Sequence, residues 1–178
     1  SHCLALKPDG SVIGWGGNDH RQTNIPGGLS QVRAVAAGRN FSLALRKDVT
    51  VAAWGNNDYG QTKVPDGLAG VKAISAGYHH SIALLENGRV VAWGNNEYGQ
   101  TDVPEGLEEV IAVSAGGWFS LALKANGEVV AWGYNGWGQA TVPHGLTNVT
   151  MVAAGGSHSL ALKSDGTVVG WGLNFYCQ

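Results

Sequence analysis

Charged side chains are scarce in this sequence. Asp, Glu, Lys and Arg make up only 13% of the 178 residues, and the formal net charge is −2. Proteins that bind DNA or RNA need a surplus of Lys and Arg, because contacts with phosphate supply much of their affinity. The near balance of charge therefore predicts no nucleic-acid partner.

Long apolar runs are also missing. None approaches the roughly 20 residues that a membrane-spanning helix requires, so no membrane partner is expected. The first ten residues, SHCLALKPDG, lack the basic start and the longer apolar stretch of a secretory signal peptide. The sequence does not fix the compartment, although a secreted or extracellular one is favoured.

Cysteine, methionine and phenylalanine are rare, whereas glycine and tryptophan are abundant. The chain has 2 Cys, 1 Met and 3 Phe, against 28 Gly and 7 Trp. Two thiols cannot define a disulfide scaffold or a four-cysteine zinc site. Many glycines among Val, Ala, Leu and Trp are typical of tight turns between short buried strands, and not of helices.

An internal repeat of 39 residues runs through the chain without insertion or deletion. Its units begin near residues 1, 32, 71, 110 and 149, and the first and last units are incomplete. A period of about 40 residues indicates a repeat architecture in which each unit is one supersecondary element. The Trp-Gly dipeptides that mark the period start at Trp15, Trp54, Trp93, Trp132 and Trp171.

Alternation and β-branched residues predict the strands of each unit. In the second unit these cover residues 32–36, 42–45 and 51–54, followed by a short fourth segment at 62–64. About 40 residues with four strands is the size of a propeller blade. We therefore predict an all-β fold, a β-propeller of four-stranded blades that forms one repeat domain over residues 1–178. Its five units either close as a ring or belong to a larger ring.

Asx-Gly pairs separate the second and third strands in four of the units. Such a pair is a strong hairpin signal, because both central residues of a type I′ turn need a positive φ. The second unit has Asp48 and Val49 there instead, and a β-branched residue resists this conformation. That hairpin is predicted to differ locally from the others.

The repeat resembles that of the regulator of chromosome condensation family. The shared features are A-G-x-x-H-S-L-A-L, the D-G turn, V-x-A-W-G and N-x-x-G-Q. The short unit with G-Q-T-x-V-P is similar to the compact bacterial branch typified by β-lactamase inhibitory protein II. The resemblance implies a propeller that presents one face to a protein partner, in an inhibitor-like manner for that branch.

Two loops of each blade vary in sequence, and in an up-and-down sheet both lie on one face. Variation on a uniform scaffold is where specificity can be placed, and aromatic anchors with polar neighbours are typical of protein-binding surfaces. The predicted partner-binding residues are Asn40, Asp58, Tyr59, His79, Glu97, Tyr98, Trp118, Trp137, Phe175 and Tyr176. The resemblance to inhibitor-like members favours, among these, His79, Trp118, Tyr59, Tyr98 and Trp137.

Other classes of function fit less well. Asp58 and Glu97 are carboxylates that arise from repetition, and no activated nucleophile is visible, so no enzyme activity is expected. Ligands on separate blades rarely converge, so no metal or other cofactor is predicted; the histidines that share one repeat position are interpreted as structural. The histidines concerned are His2, His80 and His158.

A carbohydrate-binding lectin and a structural repeat domain of a larger protein are the alternatives.

The two cysteines depart from the repeat near its two ends. Cys3 stands at a Ser position of the repeat, and Cys177 stands at the Gly of G-Q. They form either a disulfide that ties the first unit to the last or two unrelated free thiols. The sequence leaves both alternatives open.

Overall fold

The computed structural model describes residues 1–175, which form β-strands, turns and loops. The strands pair antiparallel within five sheets that follow the order of the chain. They are β1 (His2–Leu6), β2 (Val12–Gly16), β3 (Val32–Ala37), β4 (Phe41–Arg46), β5 (Val51–Gly55), β6 (Val71–Ala76), β7 (His80–Leu85), β8 (Val90–Gly94), β9 (Val110–Ala115), β10 (Phe119–Lys124), β11 (Val129–Gly133), β12 (Val149–Ala154), β13 (His158–Lys163) and β14 (Val168–Gly172).

Each sheet corresponds to one sequence repeat. The first sheet has two strands and each of the other four has three, with the second strand of the repeat in the middle. Neighbouring sheets contact each other in chain order, and β3, β6, β9 and β12 succeed one another around a central funnel of about 560 Å³. The fold is a β-propeller of repeat blades, as the sequence predicts.

The predicted fourth strand does not form in the described blades. Residues 62–64 join no sheet; instead the Val64 amide donates to the Thr62 carbonyl and the Lys63 amide to the Gly60 carbonyl. Pro65 follows and has no N–H to offer to a ladder. The amides of this segment therefore donate within local turns and not to a neighbouring strand. The prediction of four-stranded blades was wrong in this detail, because four of the described sheets have three strands and the first has two.

The hairpin turns between the second and third strands also differ from the prediction. In the third unit the Gly88 amide donates to the Leu85 carbonyl, and Gly88 has a φ of 79° while Asn87 does not have a positive φ. This is a type I turn followed by one left-handed residue, and not a type I′ turn. Val49 takes the place of Gly88 with a φ of 62°, and its amide bonds to Arg46 in the same way. The second hairpin therefore keeps the common geometry, contrary to expectation.

Apolar packing between consecutive sheets forms the core. Between the second and third sheets, Leu43 and Leu45 pack in one cluster with Ala83 and Trp93. Both leucines are at most 1% exposed, and full burial of a Leu side chain contributes about 1.5–3 kcal/mol. Equivalent clusters join the other consecutive sheets. A blade that lies between two others is therefore stabilised mainly by its two neighbours.

A glutamine carbonyl adds two hydrogen bonds to each of these contacts, an arrangement that we call the glutamine tie. The Gln61 carbonyl accepts from Ser81 Oγ at 2.8 Å and from Trp93 Nε1 at 3.0 Å, both in the next sheet. Ser81 and Trp93 are buried, so their polar groups need partners inside the protein. The same pair of bonds recurs at the carbonyls of Gln22, Gln100 and Gln139.

The first and last sheets share no β-ladder within the described residues. β1 and β2 pair with each other, and β14 pairs with β13. Cys3 is exposed on β1, whereas Cys177, like Tyr176, falls outside the described residues. A disulfide between the two cysteines stays a prediction.

His80 lies between two blades and is fully buried. Its Nε2 is 3.1 Å from Ser120 Oγ of the next sheet, and Phe41 and Phe119 occupy the same repeat position in their own blades. Burial lowers the pKa of His80 to about 4, because desolvation disfavours the charged imidazole. This environment supports a structural role for the position.

Replacing His80 by Phe should make stability less sensitive to acid. Below its ordinary pKa of 6.5 the unfolded chain takes up a proton on His80, whereas the folded chain does not until the pH approaches 4, so stability falls within this window. By pH 4 the loss from this residue amounts to about 3 kcal/mol. Urea unfolding at pH 7 and pH 4.5 should show a smaller fall in unfolding free energy for His80→Phe than for the wild type. Equal falls would contradict the assignment.

Candidate functional site

The two variable loops of each blade lie at the same end of the sheet. We call the connection between the first and second strands the inner loop, and the segment after the third strand the outer loop. In the third blade the Asn95 amide donates to the His79 carbonyl at 2.8 Å, which joins the outer loop to the inner loop. The equivalent bonds run from Asn56 to Asn40, from Tyr134 to Trp118 and from Leu173 to Ser157.

The side chain of the tie glutamine shapes the outer loop. Gln61 Oε1 accepts from the Tyr59 amide at 2.9 Å, and Gln61 Nε2 donates to Asn56 Oδ1. Gln61 therefore has two roles: its backbone carbonyl holds the next blade, and its side chain fixes the outer loop that carries Tyr59. Fixing this loop preorganises the surface. The same two contacts recur in the next blade among Gln100, Tyr98 and Asn95.

Aromatic rings from neighbouring blades meet at this end of the propeller. The Trp118 ring centroid lies 5.4 Å from that of His79 and 5.5 Å from that of Tyr98, and His79 lies 5.1 Å from Tyr59. Such separations are those of interacting aromatic pairs. We call this surface the aromatic belt, and its members are Tyr59, Tyr78, His79, Tyr98, Trp118, Tyr134, Trp137 and Phe175.

A pocket of about 250 Å³ opens within the belt. It brings together Trp118 of an inner loop and Trp137 of an outer loop, two residues that the sequence places in separate variable segments. Phe175 extends the surface, since its ring centroid is 5.6 Å from that of Trp137. The residues that line the pocket are Tyr98, Trp118, Tyr134, Trp137 and Ser157.

The polar residues predicted for the site border the belt. Asp58 Oδ2 accepts from Asn56 Nδ2 at 2.7 Å, while Glu97 is exposed and Asn40 is half-buried. Burial, followed by the nearby Arg39 cation, lowers the pKa of His79. His79 is therefore neutral at pH 7 and offers the belt a polar but uncharged ring.

Two belt members, Tyr78 and Tyr134, are absent from the set of site residues predicted from sequence. The Tyr78 ring lies 5.9 Å from that of Trp118, and the Arg39 guanidinium stacks over it at 5.7 Å from the centroid. The Tyr134 ring lies 4.9 Å from that of Tyr98. Tyr78 is adjacent to the predicted His79 in the same loop, whereas Tyr134 stands at a position that is asparagine in the two preceding units, Asn56 and Asn95.

The substitution at Tyr134 leaves a buried polar atom of the scaffold unpaired. Gln100 Nε2 donates to Asn95 Oδ1, but Gln139 Nε2, its counterpart beside Tyr134, has no hydrogen-bond partner within residues 1–175. An unpaired buried donor costs about 1–3 kcal/mol. Tyr134 therefore adds an aromatic ring to the belt, while the scaffold loses one buried hydrogen bond.

Within residues 1–175, no three His, Cys, Asp or Glu side chains gather as metal ligands would. Nor does this part of the chain contain a helix long and apolar enough to cross a bilayer.

Four of the repeats in this chain match the model of a known family. The model of the regulator of chromosome condensation (RCC1) repeat matches residues 32–61, 71–100, 110–139 and 149–178. A search of curated proteins gives no match to the chain.

Solved structures of the same architecture extend beyond this chain. The ectodomain of the receptor kinase CR4 from Physcomitrella patens matches with a TM-score of 0.83 and 25% identity, over 98% of this chain and 50% of that one. Human WBSCR16 gives 0.79 and 25%, over 96% and 60%. Yeast RCC1 (Prp20), solved with Kap60 bound, gives 0.77 and 26%, over 96% and 54%. The chain therefore spans 50% to 60% of the length of these structures.

Replacing Tyr134 by Asn should leave the protein more stable than replacing it by Ala. The new Oδ1 would accept from Gln139 Nε2, as Asn95 does from Gln100 in the preceding blade, and we expect a gain of about 1 kcal/mol. Urea unfolding of the wild type, Tyr134→Asn and Tyr134→Ala measures it, since the Ala variant removes the ring without supplying an acceptor. If the Asn variant were no more stable than the Ala variant, the account of this position would be wrong.

Proposed function

Because the chain belongs to the regulator of chromosome condensation repeat family, we propose that it is a non-catalytic module that binds a protein partner through its aromatic belt. The observation that carries the proposal is that four blades contribute rings to one surface. Tyr59 comes from the second blade, Tyr98 from the third, Trp137 from the fourth and Phe175 from the fifth. Because these rings come from separate repeats, the surface forms only when the blades are packed side by side.

The exposure of the belt supports an interface. Tyr59 is 50% exposed, Trp137 48% and Tyr98 43%. Leaving several large aromatic side chains partly in water and adjacent to one another is unfavourable unless another molecule covers them. Trp and Tyr are also the residues that most often dominate binding energy at protein interfaces.

The unpaired donor beside Tyr134 supports the same conclusion. The two preceding units have asparagine at this position, where Asn95 accepts a hydrogen bond from Gln100 Nε2, so the scaffold does not require a tyrosine there. Functional surfaces commonly contain such departures from the local rules of the scaffold. Tyr134 lines the belt pocket, so the departure falls where a partner side chain would insert.

The structural relatives are compatible with protein binding. Yeast RCC1 is seen with Kap60 bound, and it shares the propeller fold with this chain at 26% identity. For this chain we propose an inhibitor-like mode, in which protruding rings such as Trp137 enter a cleft of the partner. Binding then requires no chemistry from Asp58 or Glu97, which serve as polar neighbours of the anchors.

Affinity capture with the paired substitution Trp118→Ala/Trp137→Ala tests the proposal. Truncation of anchor residues should weaken binding at least a hundredfold, about 2.7 kcal/mol. The expected result is one protein retained by the tagged wild type and lost by the double variant. The Kd of the purified pair, measured by calorimetry, then gives the size of the effect.

The matched control is His144→Ala, an exposed residue in the constant Pro-x-Gly-Leu turn at the opposite end of the blades. It should bind as the wild type does. Equal affinity of all three chains would reject the belt as the site, and binding of immobilised glycans with no protein captured would favour a lectin instead.

A further inference from the structure

The pocket in the aromatic belt is the size of one long side chain. Its volume is about 250 Å³, whereas small-molecule sites enclose roughly 300–1,000 Å³. Its walls stand at steep angles to each other, because the Tyr98 ring plane is inclined at 81° to that of Trp118 and at 63° to that of Tyr134. Rings set in this way contact a guest from several directions, so the pocket is shaped to receive a single side chain.

Gly136 leaves the space that the Tyr134 ring occupies. A Cβ atom at residue 136 would lie 2.5 Å from Tyr134 Cζ and closer still to its hydroxyl oxygen. The two preceding units have carboxylates at this position, Asp58 and Glu97. The fourth blade thus departs from the repeat at residues 134 and 136 together, and the two departures are sterically linked. Two linked changes that build one wall indicate that the pocket is a specific feature of this blade.

Neighbouring rings hold the second wall, Trp118, in place. Its ring lies within 6 Å of those of Tyr78, His79 and Tyr98. Tyr78 is accommodated by glycine as well, since a Cβ atom at Gly117 would lie 3.0 Å from its Cε2 and one at Gly156 would lie 2.6 Å from its hydroxyl. The walls are therefore preorganised, and a guest that enters loses little affinity to their reordering.

The charge around the pocket favours a cationic guest. Glu97 is exposed and adjacent to the lining residue Tyr98, and Asp102 is exposed in the same outer loop. Up to residue 175, the inner and outer loops of the third, fourth and fifth blades contain no Lys or Arg. The faces of aromatic rings are the negative part of their quadrupole, so the walls and the nearby carboxylates attract the same sign of charge.

Among cationic side chains, arginine fits these walls best. Its guanidinium is planar, stacks on aromatic faces and is more weakly hydrated than the ammonium of lysine. The chain already makes this contact once on the belt, where the Arg39 guanidinium lies 5.7 Å from the centroid of the Tyr78 ring. Ser157 also lines the pocket, and its hydroxyl can accept from one of the five guanidinium N–H donors.

We propose that the belt pocket binds the guanidinium of an arginine side chain of the protein partner. Trp118, Tyr134 and Trp137 supply cation–π contacts, and Glu97 supplies the opposite charge. An apolar guest would gain nothing from Glu97, so the carboxylate is what distinguishes arginine from leucine or methionine at this place. The inference rests on the function proposed for the belt, since it names the side chain that the partner inserts.

Peptide titrations of the whole chain, followed by NMR, test the proposal. The probes are acetyl-Gly-Arg-Gly-amide and the same peptide with citrulline, which keeps the shape of arginine without its charge. The arginine peptide should shift the indole N–H signals of Trp118 and Trp137 with a Kd of the order of millimolar. The citrulline peptide should bind about tenfold more weakly, and a lysine peptide should also bind more weakly than the arginine peptide. The indole signal of Trp54, which is buried, should not move.

Substitutions locate the guest within the belt. Trp118→Ala removes one wall and Gly136→Ala displaces the Tyr134 ring, so each should raise the Kd of the arginine peptide about fivefold. Glu97→Gln should raise it about threefold at low salt and less at high salt, where the charge is screened. The matched control is Glu105→Gln, the same change of charge in the exposed Pro-x-Gly-Leu turn at the opposite end of the same blade, which should bind as the wild type does.

An arginine peptide that bound no more tightly than the citrulline or lysine peptide, or that bound Trp118→Ala as tightly as the wild type, would overturn the proposal. Circular dichroism of each variant confirms that a lost signal reflects the site and not the fold. The role of the belt is tested separately, because capture of a protein by the belt does not depend on which side chain fills the pocket. A partner lost by the double variant, with no binding of the arginine peptide, would refute the arginine and leave the proposed function standing. A partner that the double variant retained would refute the proposed function itself.

Discussion

One backbone carbonyl per repeat, that of the tie glutamine, organises the protein. A carbonyl oxygen has two lone pairs, and Gln61 uses them for the Ser81 hydroxyl and the Trp93 indole of the following sheet. Both donors would be costly to bury without this acceptor. The recurrence of the tie at every internal contact explains why Trp, Ser and Gln keep a constant spacing in the sequence. It also explains why successive blades pack against each other with the same geometry.

The same glutamine couples the scaffold to the surface. Its side chain bonds to the amide of the aromatic residue two positions earlier, as Gln61 does with Tyr59 and Gln100 with Tyr98. The loops that carry the belt are therefore fixed by the bonds that hold the blades together, and their rings are presented with little freedom to lose on binding. Tyr134 is an exception to this arrangement. It adds an aromatic ring to the belt but does not supply the acceptor that Gln139 Nε2 needs.

Repetition made most of the fold predictable from sequence. The 39-residue period predicted the blades, and alternation located strands such as β4 and β5 to within one residue at each end. Local turn chemistry was less predictable. An Asx-Gly pair is compatible with two kinds of hairpin turn, and only the structure shows that Gly88 alone is left-handed. The segment before Pro65 has strand-like composition, yet its amides donate hydrogen bonds within local turns and not to a neighbouring strand.

The surface was predictable in part. Departure from the repeat drew attention to the loops that carry Trp118 and Trp137, but it did not show that these residues line one pocket with Tyr134. Contacts between blades depend on the curvature of the propeller, which no single repeat encodes. The unpaired Gln139 amide likewise becomes visible only when the side chains are placed.

Hydrogen exchange of the tryptophan indole N–H groups, followed by NMR, tests the glutamine tie most directly. The indole N–H groups of Trp54, Trp93 and Trp132 should exchange slowly, because they are buried and bonded to Gln carbonyls. Trp15, which is 53% exposed, should exchange rapidly. Exchange of the three buried indoles as fast as that of Trp15 would contradict it.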